Sequence, residues 1–245
     1  MAEIRDTSPA GLPQAAKEVI TCAVVMVALA AFIVSLRIYT RLTLLGAFGK
    51  DDFCILVALL FSVGNSVGMG MQATTALGRH IWDLTPEDVT MFLKEVYFTI
   101  ISYNIGLYFV KLSILFLYLR LFTSASSTLR RVSHVVVTIV VFASLWAIFS
   151  SALFCLPVAS FWDKSIKGKC LPLKPRWYAG AALNILTDFM ILILPLPSIK
   201  NLQLPRRQKL ALSLIFAVGF LFRLYCFNPQ AAFVDHRGVV KRSDR

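Results

Sequence analysis

Six runs of apolar residues, at about 19–39, 53–73, 98–122, 135–156, 177–199 and 210–227, leave this chain few ways to fold. Each is close to the twenty or so residues that an α-helix needs to cross a hydrocarbon core, the last being the shortest. A segment isolated in lipid must satisfy its own backbone hydrogen bonds, so the runs read as helices and the fold class as all-α integral membrane, with about six spans. Composition agrees. The chain is 58% hydrophobic and 16% charged, with a mean hydropathy of +0.72, against about 25% charged residues in soluble domains. A bundle over 19–227 is expected, preceded by an extracellular segment at 1–18 and followed by a polar tail at 228–245.

The first run is no secretory signal: it follows a mixed-charge head (Glu3, Arg5, Asp6, Lys17, Glu18), exceeds a signal core in length and lacks a small-residue cleavage pattern. No internal repeat points to a duplicated transporter. Lys and Arg set the orientation. Arg37, Arg41 and Lys50 occupy the first connection, Arg120, Arg130 and Arg131 the third, and Lys200, Arg206, Arg207 and Lys209 the fifth. These connections are expected in the cytoplasm and the N-terminus outside. The fourth connection, with Lys164, Lys167, Lys169, Lys174 and Arg176, is read as an outer exception. The net charge of +12 flanks spans instead of forming one stripe, so anionic lipid is the expected partner and nucleic acid is not.

Two charges fall inside spans, Lys111 in the third and Asp188 in the fifth. An ionisable group at such depth is costly and normally faces a protein interior. Asn104, Tyr108 and Lys111 share one helical stripe, and Asn184, Thr187 and Asp188 share another. Lys111 stands nine positions before Arg120 and Asp188 twelve before Lys200, so both lie about 14–18 Å from the proposed cytoplasmic ends. The depths permit a Lys111–Asp188 pair. On the second helix Asn65 and Gln72 share a side with Gly68, and Gly64 with Gly68 forms a GxxxG step for close helix contact. A polar clamp fixing helix register, with Lys111 reaching toward headgroups, and a ligand or proton-coupled site both fit this pattern.

Cys155 and Cys170 flank the start of the fourth connection, where a disulfide would close the outer loop. Cys22, Cys54 and Cys226 read as small packing residues. No CxxC or HExxH pattern occurs, so no metal is expected. His80, Asp83 and Glu87 read as surface polar residues. Thr85-Pro86-Glu87-Asp88 is a helix start, with Thr85 as N-cap and Asp88 as its reciprocal partner. Val89, Phe92, Leu93 and Val96 then form the apolar stripe of an outer-face helix leading into the third span.

An ordered set of motifs resembles a known family. It runs Arg37-Ile-Tyr-Thr-Arg41, Gly49-Lys-Asp-Asp52, Leu77-Gly-Arg-His80 and Lys111-Leu-Ser-Ile-Leu-Phe-Leu-Tyr-Leu-Arg120. It continues with Phe154-Cys-Leu-Pro157, Phe161-Trp-Asp163, Cys170, Asn184-Ile-Leu-Thr-Asp188, Leu194-Pro-Leu-Pro197 and Leu202-Gln-Leu-Pro-Arg-Arg-Gln-Lys209. The set, over roughly 19–220, is similar to the fungal rhodopsin-like integral membrane family. That resemblance implies a seven-helix receptor-like protein with an outer N-terminus. Its members include sensors of host surfaces or nutrients and membrane proteins of secondary-metabolite clusters, among them the satratoxin-cluster type. It implies that Lys111 and Asp188 belong to the family pattern. The C-terminus departs from it: Arg223-Leu-Tyr-Cys-Phe-Asn-Pro229 and a polar tail stand where the sixth helix should finish and a seventh follow, so the chain reads as a truncated member.

Retinal is not expected, because microbial rhodopsins place their Schiff-base lysine on the seventh helix and Lys111 is on the third. No cofactor is assigned. The expected function is receptor-like sensing of an extracellular ligand or surface cue at the plasma membrane, with Arg130, Arg131, Arg206, Arg207 and Lys209 facing an intracellular signalling protein or lipid. The alternative is an accessory protein of a secondary-metabolite pathway, serving transport or tolerance. An intramembrane enzyme ranks last: Asp188 is the only carboxylate deep in a span, a lysine partner would hold it ionised, and no GxSxG elbow is present.

Overall fold

The computed structural model describes residues 14–43, 46, 48–75, 85–121, 127–163 and 165–194. Five helices make up most of it: α1 (Gln14–Thr43), α2 (Lys50–Thr75), α3 (Pro86–Leu121), α4 (Ser127–Ala152) and α5 (Leu173–Ile193). The first four are long and apolar enough to cross a membrane. α5 has 21 residues, a spanning length, but Arg176, Asn184 and Asp188 reduce its apolar content. The sixth run at 210–227 and the tail lie outside the described residues, as does any test of a seventh helix.

Two boundaries differ from the sequence reading. The helix expected to lead into the third span is continuous with it, giving α3 36 residues, about 54 Å of rise. That exceeds a hydrocarbon core of about 30 Å, so α3 is longer than an upright span requires. No glycine or proline interrupts 87–105, which removes the usual causes of a break. The fourth helix stops at Ala152, short of the expected 156, because Cys155–Leu156 forms a strand, β1, paired antiparallel with β2 (Lys169–Cys170). Between the strands, Val158–Phe161 makes one 3-10 turn.

The described residues fall into two compact units, one drawn from Met1–Arg120 and Val137–Leu171, the other from Leu121–Val136 and Pro172–Arg245. In the first, α1 shows Val24, Leu29, Phe32, Ile33 and Leu36 on its surface and buries Ala16 and Val34. A helix apolar on all sides is suited to a surround of lipid. α4 does the same along Ile139, Phe142, Trp146 and Phe149, which recur at helical spacing on one face. The interior instead collects small and polar groups: Ala58, Ala73, Ser102, Ser113 and Ser151 are buried. Membrane helices pack through small residues because lipid competes equally for large apolar ones. Gly68 illustrates this, since a Cβ there would sit 2.6 Å from Thr99 Oγ1 on α3, whereas one at Gly64 would meet nothing. Only one step of the GxxxG pair is therefore a helix contact.

α3 begins as its sequence foretells. Thr85 Oγ1 accepts from Asp88 N–H at 3.2 Å, and Thr85 N–H donates to Asp88 Oδ2 at 3.2 Å, a reciprocal cap. In the second unit, Thr187 Oγ1 lies 2.9 Å from the carbonyl oxygens of Leu183 and Asn184, so its hydroxyl is turned onto its own helix.

Candidate functional site

The densest charge in the described residues lies where α1 and α3 end and α2 begins. Asp51 and Asp52 occupy the first turn of α2, where the helix dipole favours anions, and they are 2% and 0% exposed. Asp52 Oδ2 accepts from Gly49 N–H at 3.1 Å, closing the helix start. Arg37 on α1 spans the two carboxylates, with Nη2 on Asp51 Oδ2 at 2.8 Å and Nε on Asp52 Oδ1 at 3.2 Å. Arg41, one turn on, reaches Asp51 Oδ2 at 3.4 Å. From the end of α3, Arg120 Nη1 stands 3.7 Å from Asp51 Oδ1, and Ser113 Oγ donates to the Asp51 carbonyl at 2.8 Å.

Three guanidinium groups thus share two carboxylates, and Asp51 joins all three helices. Arg suits this role because its planar fork serves two acceptors at once. Gly49 is part of the construction: a Cβ there would run into Asp51 Oδ1 and come within 2.8 Å of Arg120 Nη1. Sequence reasoning read Arg37, Arg41 and Arg120 as topology signals and placed them with Asp51 and Asp52 in the ordered motif set, without joining them into one site. The available signal was two adjacent acids opening a span, with arginines closing both neighbouring ones.

Farther along α3, Lys111 is 4% exposed. Tyr108 stacks edge-on to Phe109 with ring centroids 5.2 Å apart. Asn104 Nδ2 donates to Ile100 O at 2.8 Å and to Ser151 Oγ on α4 at 3.2 Å, so this member of the stripe bridges two helices. Asn65 donates to Met69 Sδ at 3.7 Å, a contact within α2. Gln72 crosses to α3 instead, with Nε2 2.7 Å from Thr99 Oγ1. Asn184 and Asp188 are half-buried on α5, in the second unit. Arg130 and Arg131 are exposed on α4, and Arg206, Arg207 and Lys209 lie outside the described residues, as do His80 and Asp83.

At the other end of α3, the loop after α4 is pinned by a disulfide between Cys155 and Cys170. Tyr97 anchors it. Its hydroxyl donates to Ala152 O at 2.8 Å, and its ring packs on Phe161 and Trp162 at 5.6 and 5.7 Å. Lys94 Nζ lies 6.0 Å from the Trp162 ring centroid, a cation–π approach. Beside it the Ser165 hydroxyl and N–H both donate to Asp163, holding that carboxyl below its usual range. Of the other cysteines, Cys54 is buried and Cys22 exposed, while Cys226 is outside the described residues.

Helices of spanning length, a buried ion-pair junction and a disulfide-closed loop define a multi-pass membrane protein. The fungal rhodopsin domain model matches residues 36–227, and the chain belongs to that family. It is 32% identical over 143 residues to a SAT4 family membrane protein of Emericella nidulans, covering 58% of this chain and 37% of that protein. It is 26% identical over 223 residues to polyenoic acids biosynthesis gene cluster protein Ba17b of Metarhizium anisopliae, covering 82% and 60%. Wortmanamides biosynthesis cluster protein C of Talaromyces wortmannii is 24% identical over 182 residues, covering 73% and 50%. The chain thus spans between about a third and three fifths of the length of these relatives. No solved structure matches.

Proposed function

We propose that this chain acts as a receptor-like membrane protein at the plasma membrane, without catalytic activity, in which an external small ligand or surface cue repositions α3. The observation that carries this reading is the Asp51 junction. One buried carboxylate holds the ends of α1, α2 and α3 together through charges, and α3 also buries Lys111 at mid-span. An arrangement of discrete ion pairs has two definable states, made and broken, as a switch requires. Lys111 and Asp188, matched in depth by sequence, are the proposed intramembrane counter-charges. The basic groups Arg130, Arg131, Arg206, Arg207 and Lys209 are the proposed contacts for a signalling partner or anionic lipid.

The second reading, an accessory protein of a secondary-metabolite pathway, is favoured by the polyenoic acid and wortmanamide cluster proteins among its relatives. Hydrogen–deuterium exchange on the chain in nanodiscs separates the two. Under the receptor reading, an extract of host surface or nutrient medium changes protection at 37–52 and 111–120, and proteoliposomes show no proton-dependent flux. Proton-dependent flux that is lost in Asp188→Asn would favour the accessory reading. Lys111→Asp combined with Asp188→Lys restores the expression that either change alone lowers; failure to rescue removes the proposed pair.

A further inference from the structure

Among the described residues, one enclosed side-chain oxygen has no hydrogen-bond partner: Oε2 of Glu95 on α3. Glu95 is 9% exposed. Its other oxygen, Oε1, lies 3.1 Å from Thr75 Oγ1 on α2. Thr75 has a single hydroxyl proton, and Met71 O competes for it at 2.9 Å. One turn along α3, Thr99 Oγ1 donates to Glu95 O at 2.8 Å and accepts from Gln72 Nε2. Gly68 makes room for that hydroxyl. The adjacent cation, Lys94, is directed onto Trp162.

The seam is therefore rich in acceptors. It has two carboxylate oxygens and two hydroxyl oxygens, with the threonine protons directed largely at backbone carbonyls and the Gln72 amide donating to Thr99 Oγ1 and not to Oε1 or Oε2. A buried carboxylate oxygen without a donor is expensive, and native proteins hold few such groups without an ion or water to account for them. Oxygen-only donor sets suit hard cations. Divalent cations take six or more oxygens, or several carboxylates. One carboxylate among neutral hydroxyls balances a single positive charge.

We propose that Glu95 Oε2, with the hydroxyl oxygens of Thr75 and Thr99, forms a binding site for a monovalent metal cation between α2 and α3. Occupancy would link the two helices at the opposite end of α3 from the Asp51 junction. The site stands independently of the receptor reading.

The test is the melting temperature of the chain in nanodiscs, in sodium chloride and in N-methyl-D-glucamine chloride at equal ionic strength. Sodium is expected to raise the wild-type midpoint by about 3–5 °C over the organic cation. Glu95→Gln, which keeps the shape and removes the charge, is expected to melt alike in both salts. Thr99→Val, which removes one oxygen and keeps Glu95, is expected to lose at least half of the sodium shift and serves if the glutamine variant does not fold. Equal melting of the wild type in both salts overturns the proposal, and so does a full sodium shift in both variants. A glutamine variant more stable than a salt-insensitive wild type also overturns it and identifies the partner of Oε2 as a proton.

Discussion

Asp51 concentrates more of this molecule's electrostatics than any other described residue, and its neighbours make unequal contributions. Arg37 approaches to 2.8 Å and is about one quarter exposed, whereas Arg120 stands off at 3.7 Å and is 41% exposed. Removing the carboxylate strands several guanidinium groups around a buried position, so Asp51→Asn is expected to destabilise the chain by about 2–3 kcal/mol. This is at or just below the range of about 3–5 kcal/mol for a broken buried pair, because the arginines keep some solvent. Arg120→Gln removes a longer, partly solvated contact and is expected to cost about 1 kcal/mol or less. Midpoints from thermal melts of both variants check this ranking, and equal losses would contradict it. The asymmetry could not be read from the sequence, where all these arginines carry the same topological signal. Lys111 was different: its position in an apolar run foretold that it would avoid lipid, and it is buried.

Elements were legible to the degree that local chemistry decides them. The Thr85 cap needs only residues 85–88, and it forms with both reciprocal bonds. Thr85→Ala is expected to lower stability by about 1 kcal/mol. Because the cap opens α3, hydrogen exchange should quicken at 86–92 and leave 105–118 unchanged. The ends of helices were less legible. Hydropathy carries 135–156 as one run, but the helix stops at Ala152, and Cys155 pairs across β1 and β2 with a residue fifteen positions away. A pairing at that separation leaves no mark on periodicity. The start of α3, by contrast, was legible: the cap and the stripe of Val89, Phe92, Leu93 and Val96 foretold a helix leading into the third span, and the two form one helix.

On the scale of the whole molecule, the family and the helical membrane class were legible because they rest on long runs and ordered motifs that need no tertiary detail. The junction and the Glu95 seam were not, because each joins residues from separate helices. Within the first unit, these features divide along α3. Arg120 and Ser113 serve the Asp51 junction, Asn104 bridges to α4, Glu95 and Thr99 face α2, and Tyr97 holds the disulfide-closed loop. The loop closed by Cys155 and Cys170 is expected to contribute about 3 kcal/mol through the denatured chain that it constrains. Reductant should accordingly lower the wild-type melting temperature and leave a Cys155→Ser, Cys170→Ser double variant unaffected. An equal response of the two proteins would remove this contribution.

The same bond bears on how the protein can be made. Sulfur–sulfur links form and persist chiefly in oxidising compartments, so the Cys155–Cys170 bond is expected in a chain made by a secretory route. Synthesis in a reducing cell-free mixture would deliver helices already inserted in lipid, with the Tyr97, Phe161 and Trp162 cluster deprived of its covalent tie. Such material would carry a loosened loop between β1 and β2, while the same chain passed through an oxidising secretory route would present the closed one.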